Sequence, residues 1–430
     1  MTNSPPFQVR WLLVFWMFVV SAIAYLDRVN ISIAGPSVAA EFHLDNVHLG
    51  LVFSAFVFGY ALFQVPGGAI ADHLGPRLVL GLGVIWWAVF TTLITLISPN
   101  AAGVIFLLMA VRFLLGMGEA VVYPASNSVV SSWIPSVERG VANGIIFSGV
   151  GFGTGLTPPI VAYLTHTYGW RSAFWVSAGL GLVAGAVWYV IARNKPRQHP
   201  WISKAEIEHI ETGLPPVPPT STGKVSLTQV LAKPAVWLIT FSYFAYGYVA
   251  YIFFTWFYIY LNKTRHLDLK QSTLYTMLPP LAMMAGSTLG GFLSDRLSKQ
   301  FDDRVGRCYV ACAAIAVCAV LLAFGSNVQS AQVASVILAA GAGALYVSQS
   351  AFWSMSADLG RNAAGSVSGF MNMGGQFGGV VTASLTPYLA DHFGWSVGFG
   401  TAACLAAAGA LAWLFVRPDN VRAQQTTAVY

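Results

Sequence analysis

Charge is what this sequence lacks most. Of its 430 residues only 9% are charged while 56% are hydrophobic, and its mean hydropathy is +0.65. Soluble domains carry about 25% charged residues. So few charges cannot cover a water-facing surface, which excludes soluble enzymes and points to a surface that faces lipid. The net charge of +6 is no nucleic-acid footprint. The basic residues are spread over short loops between apolar runs rather than gathered in a patch, so no nucleic-acid partner is expected. Cysteine is scarce too. Cys308, Cys312, Cys318 and Cys404 lie inside apolar segments without CxxC spacing. That excludes zinc and dithiol chemistry and leaves them as small hydrophobes. None of the eight histidines falls in the middle of an apolar run, which removes an intramembrane HExxH protease. No nucleophile–base pair is recognisable, so neither an enzyme, a metal site nor a cofactor is expected. Strand-like alternation is absent as well. That leaves helices, which satisfy their own backbone groups as lipid demands.

What is present is a series of apolar runs. Crossing a ~30 Å bilayer core takes ~20 apolar residues. Twelve such segments run over 11–34, 47–70, 78–97, 101–125, 141–164, 171–192, 235–261, 272–294, 308–325, 331–353, 363–388 and 395–416. The fold class is therefore an all-α, multi-pass membrane protein of twelve spans. The first segment carries one preceding basic residue, Arg10, and resumes its apolar character after Asp27-Arg28, so it is read as a retained span and not a cleaved leader. With the N-terminus inside, 16 Lys and Arg fall in cytoplasmic segments and only Arg171, Lys263, Arg265 and Lys270 fall outside. The positive-inside bias puts both termini in the cytoplasm.

The middle of the chain breaks the rhythm. Residues 193–234 form its one long polar segment, a cytoplasmic linker between six-helix bundles at 1–192 and 235–430. Within it, Ser203 and Glu206 have capping-box spacing before a short amphipathic helix, and the Pro-rich "LPPVPPTSTG" follows. The halves echo each other. "GGAIADHLGPR" (67–77) returns as "GGFLSDRLSKQ" (290–300), Arg139 pairs with Arg361, and "YGWRSAF" (168–174) returns as "FGWSVGF" (393–399), all at an offset near 223. Parallel repeats of this kind are one plan of transporters that bind substrate near the midplane.

Six plus six spans with Gly68, Asp72, Gly75 and Arg77 spaced as GxxxDxxGxR after the second span resemble the major facilitator superfamily. The loop match is partial. His73 stands where a stronger base is usual, and the second basic residue is missing. Its echo keeps Gly291, Asp295 and Arg296 but loses the later glycine. "LDRVNIS", "RFLLGMGEAVVYPA", "WIPSVERG" and "GFMNMGGQFGG" together resemble the anion:cation symporter family over essentially the whole chain. That family includes carriers of galactonate, glucarate, hexuronates, tartrate and phthalate. The resemblance implies a bacterial inner-membrane proton symporter that imports a small organic anion by alternating access. A sugar acid (aldonate or hexuronate) comes first, and a phthalate- or tartrate-like acid second. Uniport or exchange, and a transporter-like sensor, are the rival readings. The implied partners are the anion, the coupling proton and lipid, and the implied state is a monomer.

Four ionisable residues lie inside spans: Asp27, Arg28, Arg112 and Glu119. Such residues cost several kcal/mol each and mark function by default. The rival view is a salt-bridge network that only holds helices together. Against it, all four lie in one half, whereas a purely structural device belongs in both halves of a repeat. A carboxyl at membrane depth favours its neutral form and so can take up a proton. An arginine stays charged and grips a carboxylate bidentately. By resemblance, Asp27 and Glu119 match the family's proton-carrying carboxyls, and Arg28 its substrate-carboxylate arginine. Arg112, two turns before Glu119, is expected to partner it. Asp27 and Arg28 are neighbours and should point about 100° apart.

The expected pocket walls are Tyr25, Tyr60 and Tyr123 from the first half, with Trp353, Asn372 and Gln376 from the second. The aromatic run 243–261 reads instead as an interfacial belt. Pro158-Pro159 and Pro279-Pro280 read as kinks. Asp72 is expected to accept bonds from the start of the eleventh span near Asn362, with Arg77 and Arg139 completing a cytoplasmic latch.

Overall fold

The structure is a computed structural model and describes residues 8–214, 231–267 and 269–417. The Pro-rich part of the expected linker, with Lys224, and the tail with Arg422 lie outside these. The first half is built from α1 (Val9–Phe42), α2 (Asn46–Leu74), α3 (Pro76–Leu93), α4 (Val104–Glu119), α5 (Val122–Trp133), α6 (Arg139–Tyr168) and α7 (Trp170–Ile191). The linker helix is α8 (Lys204–Gly213). The second half holds α9 (Pro234–Tyr251), α10 (Leu269–Thr276), α11 (Leu278–Gln300), α12 (Val310–Asn327), α13 (Ala331–Val347), α14 (Gln349–Gly360), α15 (Ala364–Phe393) and α16 (Trp395–Phe415). Among the described residues there is no strand.

Ten described helical stretches are long and apolar enough to cross a membrane. Two features separate this number from the twelve expected segments. One stretch, Ala331–Phe393, spans 63 residues and covers two of them. Straight, it would reach about 95 Å, three times a bilayer core. It turns instead at Arg361, whose φ is 50°, and α14 packs back on α15. The other is α11, whose paired prolines, glycines and serines leave it less apolar than the rest; it is not among the ten. Pro279 and Pro280 occupy the first turn of α11 just after a break at Met277, so they start a helix where a kink was expected. Pro158 and Pro159 lie inside α6.

Packing repeats as the sequence does. In the first half α1 lies on α6, α2 on α4 and α3 on α7; in the second, α9 lies on α15, α11 on α13 and α12 on α16. The halves meet where α6 crosses α11 and α2 crosses α15. Small residues allow both crossings. A Cβ on Gly68 would run into the Gly365 carbonyl, and one on Gly291 into the Gly140 carbonyl. Large apolar side chains point outward, among them Phe106 at 73% and Phe415 at 71% exposure. Such a surface is stable only against lipid.

Candidate functional site

Asp27 and Arg28 turn to different neighbours, as their spacing on α1 requires. Asp27 is buried and accepts hydrogen bonds from Ser177 Oγ on α7 at 2.8 Å and Thr91 Oγ1 on α3 at 3.0 Å. Arg28 points toward the second half of α4, where its Nη2 donates to Glu119 Oε1 at 2.5 Å. Rings surround its guanidinium, with Cζ 4.3 Å from the Tyr60 centroid, 4.7 Å from Tyr25 and 5.2 Å from Phe56. Arg112 does not take the place expected for it. Glu119 pairs with Arg28, while Arg112 lies over the Phe56 ring, 4.7 Å from its centroid. Two turns along one helix align Arg112 with Glu119 but leave about 10 Å between them along the axis, whereas Arg28 meets Glu119 end to end across the α1–α4 gap.

The cluster holds unpartnered atoms. Arg28 Nε, Arg112 Nε and Nη1, and Glu119 Oε2 are buried without a hydrogen-bond partner. Each such atom costs about 1–3 kcal/mol, more when charged. Such atoms are exceptions in native structures, accounted for by bound water or ions, by strain or by a functional role.

Beside the cluster lies a cavity of about 40 Å³ between the halves. Its walls include all six expected residues: Tyr25, Tyr60 and Tyr123 on one side, Trp353, Asn372 and Gln376 on the other. Tyr123 Oη pairs with Ser21 Oγ at 2.8 Å, and its ring stacks on Phe147, which also meets Trp353 at 4.7 Å. Asn372 stands eight residues into α15, about 12 Å from its start.

The belt reading of the aromatic run needs correction. Tyr243, Tyr246, Tyr251 and Phe254 line the cavity, together with Tyr346 and Gln349, none of which was expected there. Gln349 Nε2 and Trp353 Nε1 both donate to Tyr243 Oη, at 3.0 and 3.2 Å. The spacing 243, 246, 251, 254 is one face of a helix and was a usable signal. The second-half wall is polar and uncharged.

At the end of the bundle that carries the Asp72 loop, two carboxylates each reach across to a helix of the other half. Asp72 accepts from the Gly365 and Ser366 amides of α15 at 2.9 and 2.8 Å, and from Ser366 Oγ and Ser128 Oγ. Asp295, its repeat partner, accepts from the Gly140 and Val141 amides of α6 at 2.8 and 2.7 Å. Helix N-termini suit carboxylates because their first amides are free and their dipole end is positive. Arg139 joins the closure by pairing with Asp358, which also pairs with Arg307. Arg307 Nη2 further donates to the Ser136 carbonyl at 2.6 Å. Arg77 does not join. It donates to the Tyr189 carbonyl at 3.0 and 2.8 Å, within its own half. Gly75, with φ of 90°, gives the turn between α2 and α3 that lets Arg77 fall on α7. Asp295, Arg307 and Asp358 were missed. The echo of the loop motif marked the first, and nothing in the sequence marked the pairing of the other two.

Two packed helical halves around a cavity, with a cluster of buried charges beside it in one half and a closure at one end, define a membrane transport protein and not an enzyme. The chain belongs to the Major Facilitator Superfamily, whose model matches residues 17–383 and 301–428, and its relatives lie among that superfamily's anion transporters. It is 33% identical over 413 residues to a probable sulfoacetate transporter of Cupriavidus necator, covering 96% of this chain and 94% of the other. It is 31% identical over 413 residues to a hexuronate transporter of Bacillus subtilis, covering 94% of each. A probable galactarate/D-glucarate transporter of the same organism is 35% identical over 302 residues, 68% of this chain and 66% of that one. Among solved structures, a proton:xylose symporter bound to 6-bromo-6-deoxy-D-glucose superposes with a TM-score of 0.77 at 15% identity, covering 96% of this chain and 98% of that one. That likeness concerns the fold.

Proposed function

We propose that this protein is a proton-coupled secondary transporter of the bacterial cytoplasmic membrane that imports a small organic anion, a sugar acid of the aldonate or hexuronate type, by alternating access. The observation that carries the reading is the Arg28–Glu119 pair beside the cavity. While Glu119 is ionised it occupies the guanidinium that an anion needs. A proton on Glu119 removes its charge and frees Arg28, which then takes the substrate carboxylate. The opposite wall offers Asn372, Gln376 and Gln349 to hydroxyls and tyrosine and tryptophan faces to a carbon skeleton. Asp27, held by two hydroxyls away from the cavity, is the second proton site. At about 40 Å³ the cavity is smaller than a sugar acid, so loading requires the walls to part.

One observation favours a second reading. Arg112 is a second buried cation with unpartnered nitrogens, and a relative at 33% identity is a probable sulfoacetate transporter. A short dianion would use both arginines.

The test is proton movement in proteoliposomes loaded with a pH dye. Galactonate, glucuronate, galacturonate, glucarate, tartrate, phthalate and sulfoacetate are added in turn. Internal acidification with an aldonate or hexuronate, absent in Asp27→Asn protein, is the expected result. Acidification with sulfoacetate or a dicarboxylate alone selects the second reading. Radiolabelled uptake without any acidification means uniport or exchange and overturns the proton roles of Asp27 and Glu119.

A further inference from the structure

A chain of side-chain hydrogen bonds runs from the cavity into the contact between the halves. Tyr251 Oη donates to Gln376 Oε1 at 2.6 Å, Gln376 Nε2 donates to Asn372 Oδ1 at 3.5 Å, and Asn372 Nδ2 donates to Gln64 Oε1 at 3.0 Å. Tyr251, Gln376 and Asn372 line the cavity and belong to the second half. Gln64 sits on α2 of the first half, fully buried, and does not line the cavity. Its Nε2 has no partner.

The chain is directional. Each amide presents oxygen toward Tyr251 and nitrogen toward Gln64. Reversing a single amide would set two oxygens or two nitrogens against each other. The direction given by the tyrosine hydroxyl therefore passes through three amides and across the interface. The place where it crosses is tight: one turn before Asn372, a Cβ added to Gly369 would meet the Gln64 carbonyl. The α2–α15 crossing that Gln64 bridges is the same one that Asp72 closes at its end.

We propose that this amide chain couples occupancy of the cavity to separation of the halves, with Gln64 as the positioning residue that reads it. A substrate oxygen that turns the Asn372 amide toward the cavity withdraws Nδ2 from Gln64. One inter-half bond is then lost where α2 and α15 must part. Gln64 acts through Asn372 and not on the substrate. The substrate arm of the inference rests on the sugar-acid reading above; the interface arm does not.

The experiment uses full-length protein in nanodiscs with spin labels on α2 and α15 near the Asp72 loop, read as a distance distribution with and without glucuronate. Equilibrium binding of glucuronate is measured in parallel. In Gln64→Leu without ligand, the ratio of open to closed populations at that end rises about fivefold, the worth of one neutral hydrogen bond. Glucuronate affinity stays within about threefold of wild type, but glucuronate no longer shifts the distribution. Tyr251→Phe, which frees Gln376 to flip, weakens glucuronate binding and shifts the ligand-free distribution in the same direction as Gln64→Leu but by less, because the Asn372–Gln64 bond is loosened and not removed. A Gln64→Leu protein that shows the wild-type distribution without ligand overturns the proposal. So does one that loses binding as fully as Asn372→Leu, which would make Gln64 a direct contact. If wild-type protein ignores glucuronate, and galactonate in its place, the sugar-acid reading fails and the ligand-free comparison still decides the role of Gln64.

Discussion

Arg28 and Glu119 are 91 positions apart and meet at 2.5 Å. Breaking such a buried pair from one side strands a charge and costs about 3–5 kcal/mol. Neutralising the acid in place is different, because Glu119→Gln keeps the shape and imitates the protonated carboxyl. The variant is expected to bind its substrate at least as tightly as wild type and to exchange it across the membrane. Its accumulation under an imposed pH gradient falls to the level of simple equilibration. Paired counterflow and accumulation assays in proteoliposomes read the two separately, and full proton-driven accumulation sinks the role given to Glu119. The four charges were legible in the sequence because charge inside an apolar run is expensive and therefore rare. Their partners were not. Helical spacing relates Arg112 to Glu119 on one helix but says nothing of which side chain of α1 faces them. The tyrosines of α9 were misjudged for another reason: a membrane interface and the wall of a buried cavity favour the same rings.

The elements show where capping chemistry was read in part. Ser203 Oγ accepts from the Glu206 amide at 3.1 Å, so α8 begins where its capping signal places it. The Glu206 carboxylate does not return to Ser203. It accepts from the Val9 and Arg10 amides at 3.1 and 3.0 Å, capping α1, and meets Arg10 Nη1 at 3.5 Å. Arg10 Nε in turn donates to Glu138 at 3.1 Å, next to the start of α6, and His209 touches the other Glu138 oxygen at 2.9 Å. With Ile210 fully buried beneath it, the linker helix is a clamp on the starts of α1 and α6. A sequence pattern specifies a local cap, whereas a cap made across 197 positions depends on tertiary packing. Glu206→Gln leaves the Ser203 cap intact and removes the charge at α1. It is expected to cost about 1–2 kcal/mol and, in a chain of 430 residues, to lower Tm by about 1–2 °C. Thermal unfolding in detergent checks this, and Ser203→Ala separates loss of α8 from loss of the α1 cap. An unchanged Tm would mean that Glu206 is solvated in the membrane-embedded protein.

At the scale of the whole molecule, most of the fold was legible. Hydropathy sets helix number and length in lipid with few alternatives, and a duplicated sequence folds into duplicated packing. What lies between the halves was less so. The symmetry of the closure, Asp72 on α15 answered by Asp295 on α6, follows from the repeat. The shared carboxylate of Asp358 does not, because Arg139 and Arg307 reach it from different halves. Two carboxylates, each holding two amides, make the closed end cooperative: opening it breaks both sets together. Weakening both should therefore expose the cavity from that end. Ala250 is buried in the second half and lines the cavity, so Ala250→Cys places a small reporter there. The four native cysteines are first replaced by serine or alanine. With the closure intact, a membrane-impermeant maleimide labels the reporter slowly in inside-out vesicles. Adding Asp72→Asn and Asp295→Asn raises that rate tenfold or more, since each loses charge-assisted bonds worth about 1.5–3 kcal/mol. Each single variant alone gives less than half of this effect on a logarithmic scale if the two closures act as a unit. A rise confined to right-side-out vesicles would reverse the membrane orientation drawn from the basic loops. No rise on either side would leave Asp72 and Asp295 as caps that hold helices and do not gate the path.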